Sequence, residues 1–238
     1  MDWADEGIVL SARAHGETGV IASVLTRDHG RHSGYVTAGA SRRVRPLWQP
    51  GNLLALEWRA RLSDQLGHFT GEGREAHAAR ALDDALSLAG LSAACSVLDA
   101  TLPEREPHPA VFAGCLAVLG ALGHAGWPAL YVRLELGLLQ ELGFGLDLER
   151  CAATGSTEDL AYVSPRSGRA VSRTAAEPYR DKLLELPSFL VEGGLAEDGE
   201  QIAKGLELTG FFLERHVFWP QNKSLPAARS RFMEALKR

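Results

Sequence analysis

The sequence predicts an α+β protein in three parts: a small N-terminal β-barrel or sandwich, a helical region, and a loop-rich insertion. Three observations carry this. Residues 1 to about 75 consist of short β-branched and apolar runs separated by glycine-containing turns, the pattern of a small all-β unit. From Glu75 onward the apolar residues recur at helical spacing. Between the helices, Cys151 and Thr154 are followed by seventeen residues, Gly155 to Val171, and then by Ser172 and Ala175. That is the C-x2-C…C-x2-C spacing of a structural zinc ribbon, with one cysteine in its four positions.

Five strands are expected in the first part, over Gly7–Arg13, Val20–Thr26, Gly34–Gly39, Asn52–Leu62 and Gly67–Gly71, with Asp28-His29-Gly30 as the tight turn after the second. A helix is expected from Ala78 to about Leu102, ended by Pro103. A second opens at the Pro107-His108-Pro109 cluster and runs to about Gly126. Pro128 suits the first turn of a third, Ala129 to Leu142, which Gly143-Phe144-Gly145 stops. Residues 146 to 195 are loop-rich, with short strands at Tyr162-Val163 and Ala170-Val171. Two helices close the chain, about 198 to 218 and 225 to 237, separated by Trp219-Pro220.

One thiol cannot hold a tetrahedral structural zinc, which takes four thiolate or imidazole ligands. No histidine lies between His124 and His216 to replace a lost cysteine. No metal is therefore expected at Cys151, Thr154, Ser172 and Ala175, and the segment is expected to be held by packing.

The 238 residues, 45% apolar and 23% charged, are those of an ordinary globular protein with a sizeable core. Cys95, Cys115 and Cys151 are widely spaced and odd in number, which argues against a disulfide framework and for a reducing compartment. The start, MDWADEGIVL, has acidic residues where a secretory leader carries basic ones, and no uninterrupted apolar stretch suggests a membrane span. A cytoplasmic protein with no membrane partner is expected.

The net charge of −5 conceals segregation. Arg27, Arg31, Arg42, Arg43, Arg45, Arg59 and Arg61 stand against only Asp28 and Glu57. Near the C-terminus, Arg215, Lys223, Arg229, Arg231, Lys237 and Arg238 stand against Glu234. The middle of the chain carries most of the acid.

Taken in order, Gly7-Ile-Val-Leu10, His15-Gly-Glu-Thr18, Leu25-Thr26, His29-Gly30, Ala40-Ser-Arg-Arg-Val-Arg45, Leu47-Trp-Gln-Pro50 and Leu56-Glu-Trp58 open a series. It continues through Leu102-Pro-Glu-Arg-Glu-Pro107, Glu141-Leu-Gly-Phe-Gly145, Cys151-Ala-Ala-Thr-Gly155 and Ser164-Pro-Arg-Ser-Gly168. The series resembles the RecO family of bacterial recombination mediators over about residues 5 to 235. The resemblance implies an OB-fold nucleic-acid-binding domain at 1–77 and a helical domain at 78–150 and 196–238. It also implies a zinc-ribbon-like insertion at 151–195, here without its metal ligands. It further implies binding of single- and double-stranded DNA and annealing of complementary strands. With RecR, such a protein helps RecA replace single-stranded DNA-binding protein (SSB), whose acidic C-terminal tail it contacts. No cofactor is expected, and the protein would associate with the nucleoid when bound to DNA.

Within this frame the basic loop Arg42-Arg43-Val44-Arg45 is the leading DNA-binding candidate, with Arg31 and Tyr35 beside it. Single strands are held by a positive groove and by rings on which bases stack, and arginine offers both forked donors and a planar face. The alternative is three solvated arginines in a turn. Trp58 and Tyr35, both in strand patterns, fit core or stacking roles equally, and Trp48, between Pro46 and Pro50, is expected to pack the loop. Arg13, Arg27, Arg59 and Arg61 could widen the surface, although strand alternation cannot place them all on one face. Arg133, on the otherwise apolar Tyr131–Leu139 helix, either serves a surface ion pair or receives the carboxylate of an acidic partner tail.

The chain has no glycine-rich phosphate loop, no G-x-G-x-x-G, no H-E-x-x-H and no G-x-S-x-G, so a non-enzymatic protein is expected. The competing functional reading is an adaptor that acts on SSB through its helical domain with little direct DNA binding.

Overall fold

The computed structural model describes residues 1–62, 65–194 and 196–237; Arg238 of the basic C-terminal group lies outside them. The chain divides into two compact units. The first is Met1–Gly123 with Pro226–Ala235, and the second is His124–Leu225 with the residues from Leu236. The boundary thus falls inside the expected 78–150 helical stretch.

The first unit is built on β1 (Asp2–His15), β2 (Gly19–Thr26), β3 (Gly30–Val36), β4 (Leu53–Arg59) and β5 (His68–Glu75), closed into a barrel in the order β1-β2-β3-β5-β4. This five-stranded closed barrel, followed by helices, is the OB-like α+β architecture that the family resemblance implies. β1 is long enough to pair twice: Asp2–Ile8 with β4, and Gly7–His15 with β2 across an irregularity between Val9 and Ser11. Period-two alternation sets the interior. His32, Gly34 and Val36 of β3 and Leu54, Leu56 and Trp58 of β4 are buried, and the core joins Val9, Val24, Leu54, Leu56, Trp58 and Phe69, with Trp48 packed in from the β3–β4 segment.

Several element boundaries differ from the sequence expectation, β1 (Asp2–His15) and β5 (to Glu75) being longer and the helix opening at Pro109 shorter, ending at Ala121, and two of the differences have a clear local cause. β3 starts at Gly30, not Gly34, because Gly30 itself supplies the left-handed turn (φ +71°) that reverses the chain after β2. The helix expected from Ala78 to Leu102 is two helices, α1 (His77–Ala81) and α2 (Ala85–Thr101). Asp84 causes the break: its carboxylate accepts from the backbone N–H groups of Leu86 (3.2 Å) and Ser87 (3.0 Å) and so starts a new helix. α2 packs on the barrel, with the Cys95 thiol directed at the Val9 carbonyl (3.7 Å). α3 (Pro109–Ala121) and the late helix α8 (Ala227–Leu236) complete this unit.

The second unit contains α4 (Trp127–Glu141), which opens on Pro128 in its first turn and ends where Gly143 turns left-handed (φ +84°). A three-stranded sheet follows, of β6 (Leu160–Val163), β7 (Ala170–Ser172) and β8 (Leu184–Glu185), in the order β7-β6-β8. The short helices α5 (Arg173–Ala176) and α6 (Phe189–Glu192) lie around it in sequence, and α7 (Gly199–Leu213) continues into a π-helical turn, Glu214–Phe218. Among the described residues no helix is long and apolar enough to cross a membrane.

Candidate nucleic-acid interface

The outward face of β1–β2–β3 is divided into two halves. In one half, Ser11 and Ser23 each donate to Asp99 of α2 (2.9 and 2.6 Å), and Ser33 donates to Glu104 (2.7 Å). Arg31 belongs to this half. Its Nε donates to the Leu102 carbonyl at 2.8 Å, and its Nη1 lies 3.6 Å from Asp99 and 3.4 Å from Glu104. The side chain is only 17% exposed. The end of α2 and the segment after it therefore cover this half and occupy Arg31.

The other half is open. Backbone register places Arg13 opposite Ile21, Ile21 opposite Tyr35, Tyr35 opposite His68, and His68 opposite Arg59. Residues directly opposite on paired strands share a face, so this row presents arginine, tyrosine, histidine and arginine around one side of the barrel. Tyr35 sits between two histidines, His15 at 6.0 Å and 79° and His68 at 5.5 Å and 86°. The hydroxyl end of the ring covers Gly19, where a Cβ would come within 2.1 Å of the phenol oxygen, and the Tyr35 N–H donates to the Gly67 carbonyl at 3.0 Å. Gly67 holds its own left-handed turn (φ +63°) against Trp58, whose ring leaves no room for a side chain there. Of these, His15, Tyr35, Arg59, Gly67 and His68 line an open cleft of about 1050 Å³ that also takes in Arg61 and Asp2.

Arg42, Arg43 and Arg45 lie in the turn-rich segment between β3 and β4, exposed and with no carboxylate partner among the described residues. That segment is pinned to the β1–β2 turn by the Ala40 N–H donating to Thr18 O (2.9 Å), and the same turn brings Gly16 to the cleft. The basic loop and the Tyr35 cleft thus share the β1–β2 turn as a neighbour. Arg59 pairs with the exposed Glu57 (3.0 Å), a weak contact in water. Arg27 is held by Glu6 (2.6 Å) and lies over the Phe112 ring. Of the other rings, Trp48, Trp58 and Phe69 are core residues, each at most 3% exposed. His15 and His68 were not singled out from the sequence; alternation from Arg13 and Arg59 points to them once the barrel register is known.

In the second unit Arg133 Nη2 donates to the carbonyls of Phe189 (2.8 Å) and Gly194 (2.7 Å), tying the α6 region to α4. Cys151, Thr154, Ser172 and Ala175 also converge. Cys151 Sγ accepts from the Ser172 backbone N–H (3.3 Å) and hydroxyl (3.4 Å), Gly155 turns left-handed (φ +74°) as its N–H donates to Cys151 O (2.8 Å), and Ala175 packs against the same small core. Burial pushes the Cys151 thiol up, but the hydrogen bonds from Ser172 and Thr154 outweigh it and bring its pKa down to about 6. One thiol, two hydroxyls and a methyl group are not a zinc donor set, and no group of three or more His, Cys, Asp or Glu side chains among the described residues could hold a metal ion.

Comparison with known proteins agrees with this architecture. Residues 1–75 match the family described as recombination protein O N terminal, and residues 82–226 the one described as recombination protein O C terminal. The chain is 55% identical to the DNA repair protein RecO of Rhodospirillum centenum, covering 100% of this chain and 96% of that one. It is 54% identical to that of Phenylobacterium zucineum (99% and 98% covered) and 49% identical to that of Rhodospirillum rubrum (100% and 97%). With matches spanning both halves and relatives of this similarity along its whole length, the chain belongs to the RecO family of DNA repair proteins, acting in recombinational repair.

Proposed function

We propose that this protein binds a single DNA strand along the open half of the barrel face. Tyr35 offers a ring for base stacking, Arg59 and Arg61 meet phosphates in the cleft, Arg13 adds a cation beside it in the same cross-strand row, and Arg42, Arg43 and Arg45 extend the phosphate track past the β1–β2 turn. The cross-strand row from Arg13 through Tyr35 and His68 to Arg59 carries this reading. It sets cations on either side of a tyrosine on one face, the combination that single-strand grooves use. Arg31 is left out, since carboxylates and a carbonyl already occupy it.

The mechanism is physical and needs no cofactor or covalent step. Arginines neutralise the backbones of two strands, so their repulsion falls and Watson–Crick pairing drives annealing. Double-stranded DNA is bound through the same phosphate contacts. In the cytoplasm, at the nucleoid, the protein acts with RecR to help RecA load onto DNA coated with SSB, whose acidic tail it contacts.

The test is binding of a fluorescent single-stranded oligonucleotide across a salt series. For single strands the slope of log affinity against log salt is about −0.7 per phosphate neutralised, so Arg42→Ala/Arg43→Ala/Arg45→Ala should flatten the slope by about 2. Tyr35→Ala should weaken binding roughly 5- to 150-fold with little change of slope. A wild-type protein whose oligonucleotide binding is absent or insensitive to salt would refute the reading and favour the adaptor alternative.

A further inference from the structure

We propose a second single-strand contact face, in the other compact unit, centred on Trp219 and the Phe144–His216 stack. It goes beyond the barrel reading by adding a site for another strand, and it rests on that reading only in taking DNA as the ligand.

The face begins where α7 loses its regular winding. After Leu213 the helix widens into the π-helical turn Glu214–Phe218 and then tightens into Trp219–Gln221, ending at Asn222 in a left-handed conformation (φ 53°). Such widened turns are frequent at functional sites. Here the distortion accompanies an exposed aromatic group. Trp219 is 57% exposed and Phe144 39% exposed, although both rings could contribute more to a core than to a surface. His216 stacks between Phe144 (5.0 Å, 13°) and Phe212 (6.0 Å, 8°), giving a run of three near-parallel rings that starts in the core at Phe212 and ends on the exposed Phe144.

Cations accompany these rings. Arg215, in the same widened turn, lies over Phe211 at 5.9 Å. One of its nitrogens donates to Pro165 O (3.0 Å), which brings the β6–β7 turn and Arg166 to the same place. Lys223 follows the tryptophan, its N–H bonded to Phe218 O (3.0 Å). Arg166, Arg215 and Lys223 are all exposed, and none pairs with a carboxylate among the described residues. The acid within the turn, Glu214, is half-buried, and Asp147 nearby in the fold is neutralised by Arg169 (3.1 Å). Unpaired cations interleaved with exposed planar rings fit stacked bases joined by phosphates; an acidic peptide would use the cations and leave the ring planes unexplained.

The test uses full-length protein carrying Tyr35→Ala/Arg59→Ala/Arg61→Ala, in which the barrel contact is weakened, with and without Trp219→Ala/Arg215→Ala. The barrel variant is expected to keep residual oligonucleotide binding, which the second pair lowers roughly 5- to 150-fold, while Trp219→Phe retains most of it. Photocross-linking of a 5-iodouracil oligonucleotide should label Trp219 or Phe144 in that background. Residual binding that Trp219→Ala/Arg215→Ala leaves unchanged overturns the proposal, as does the absence of any residual binding. A Trp219 variant that keeps every DNA contact but loses a protein partner reassigns the face to protein docking. If the barrel variant binds like wild type and the Trp219 pair alone abolishes binding, the barrel reading fails and this one stands.

Discussion

Replacing Arg31 with alanine separates a fold-holding arginine from a DNA-binding one. The guanidinium donates to Leu102 O at 2.8 Å and lies between Asp99 and Glu104 at 3.6 and 3.4 Å. Losing a charge-assisted hydrogen bond costs about 1.5–3 kcal/mol, and breaking a fully buried ion pair about 3–5 kcal/mol. Here Arg31 and Asp99 are 17% and 16% exposed, and Asp99 keeps the Ser11 and Ser23 hydroxyls as donors. Glu104 is 44% exposed and contributes little. The expected loss is therefore near the lower end, about 2 kcal/mol, which for a chain of this size lowers Tm by about 4–8 °C. Asp99→Asn added to Arg31→Ala should cost less than the two changes summed, since they share one contact. Thermal melting and urea titration measure the loss, and the oligonucleotide salt series measures the slope. If stability holds within about 0.5 kcal/mol while the slope falls by about 0.7, Arg31 contacts phosphate and the division of the barrel face described here is wrong.

Two further predictions concern protons. Burial, aided by repulsion from Arg105 and His29, lowers the His32 pKa from 6.5 to about 4. The unfolded chain then binds the proton more readily, so stability from neutral His32 is present above pH 6.5 and is lost as pH falls towards 4. The slope reaches at most about 1.4 kcal/mol per pH unit; urea midpoints across this range should fall, and less steeply in His32→Gln, whereas equal pH dependence in the two proteins would contradict this. Cys151 behaves in the opposite sense for its charge. Its folded pKa of about 6 against 9.0 means that stability from the thiolate is present above pH 9.0 and is lost as pH falls through about 6. Because burial raises Cys95 well above its usual value and Cys115 to about 12, ultraviolet thiolate absorbance should show one early step, which Ser172→Ala moves to higher pH. An unmoved step would remove the hydrogen bonds as its cause.

Much of the barrel was legible because alternation is a local signal: the buried positions of β4 and the packing of Trp48 follow from a few neighbouring residues. The break between α1 and α2 was also legible in principle, since Asp84 three residues before Ser87 is a helix-start pattern, but the continuous apolar periodicity on both sides hides it. The fate of individual arginines was not legible. Seven cations between Arg27 and Arg61 read as one basic segment, yet Arg31 meets Asp99 and Glu104, the latter seventy-three residues along the chain, and Arg27, in the turn after β2, is held by Glu6 of β1. Segregated charge in sequence therefore overstates the free charge on the surface. What decides the matter is pairing order. The β3–β5 contact that sets His68 beside Tyr35 is a single parallel pair, with no signature in either strand, and it turns scattered residues into a face. The same reasoning applies to Cys151. Its spacing to Ser172 is visible in the sequence, but only the fold brings the Ser172 hydroxyl to the sulfur, where the two side chains hydrogen-bond.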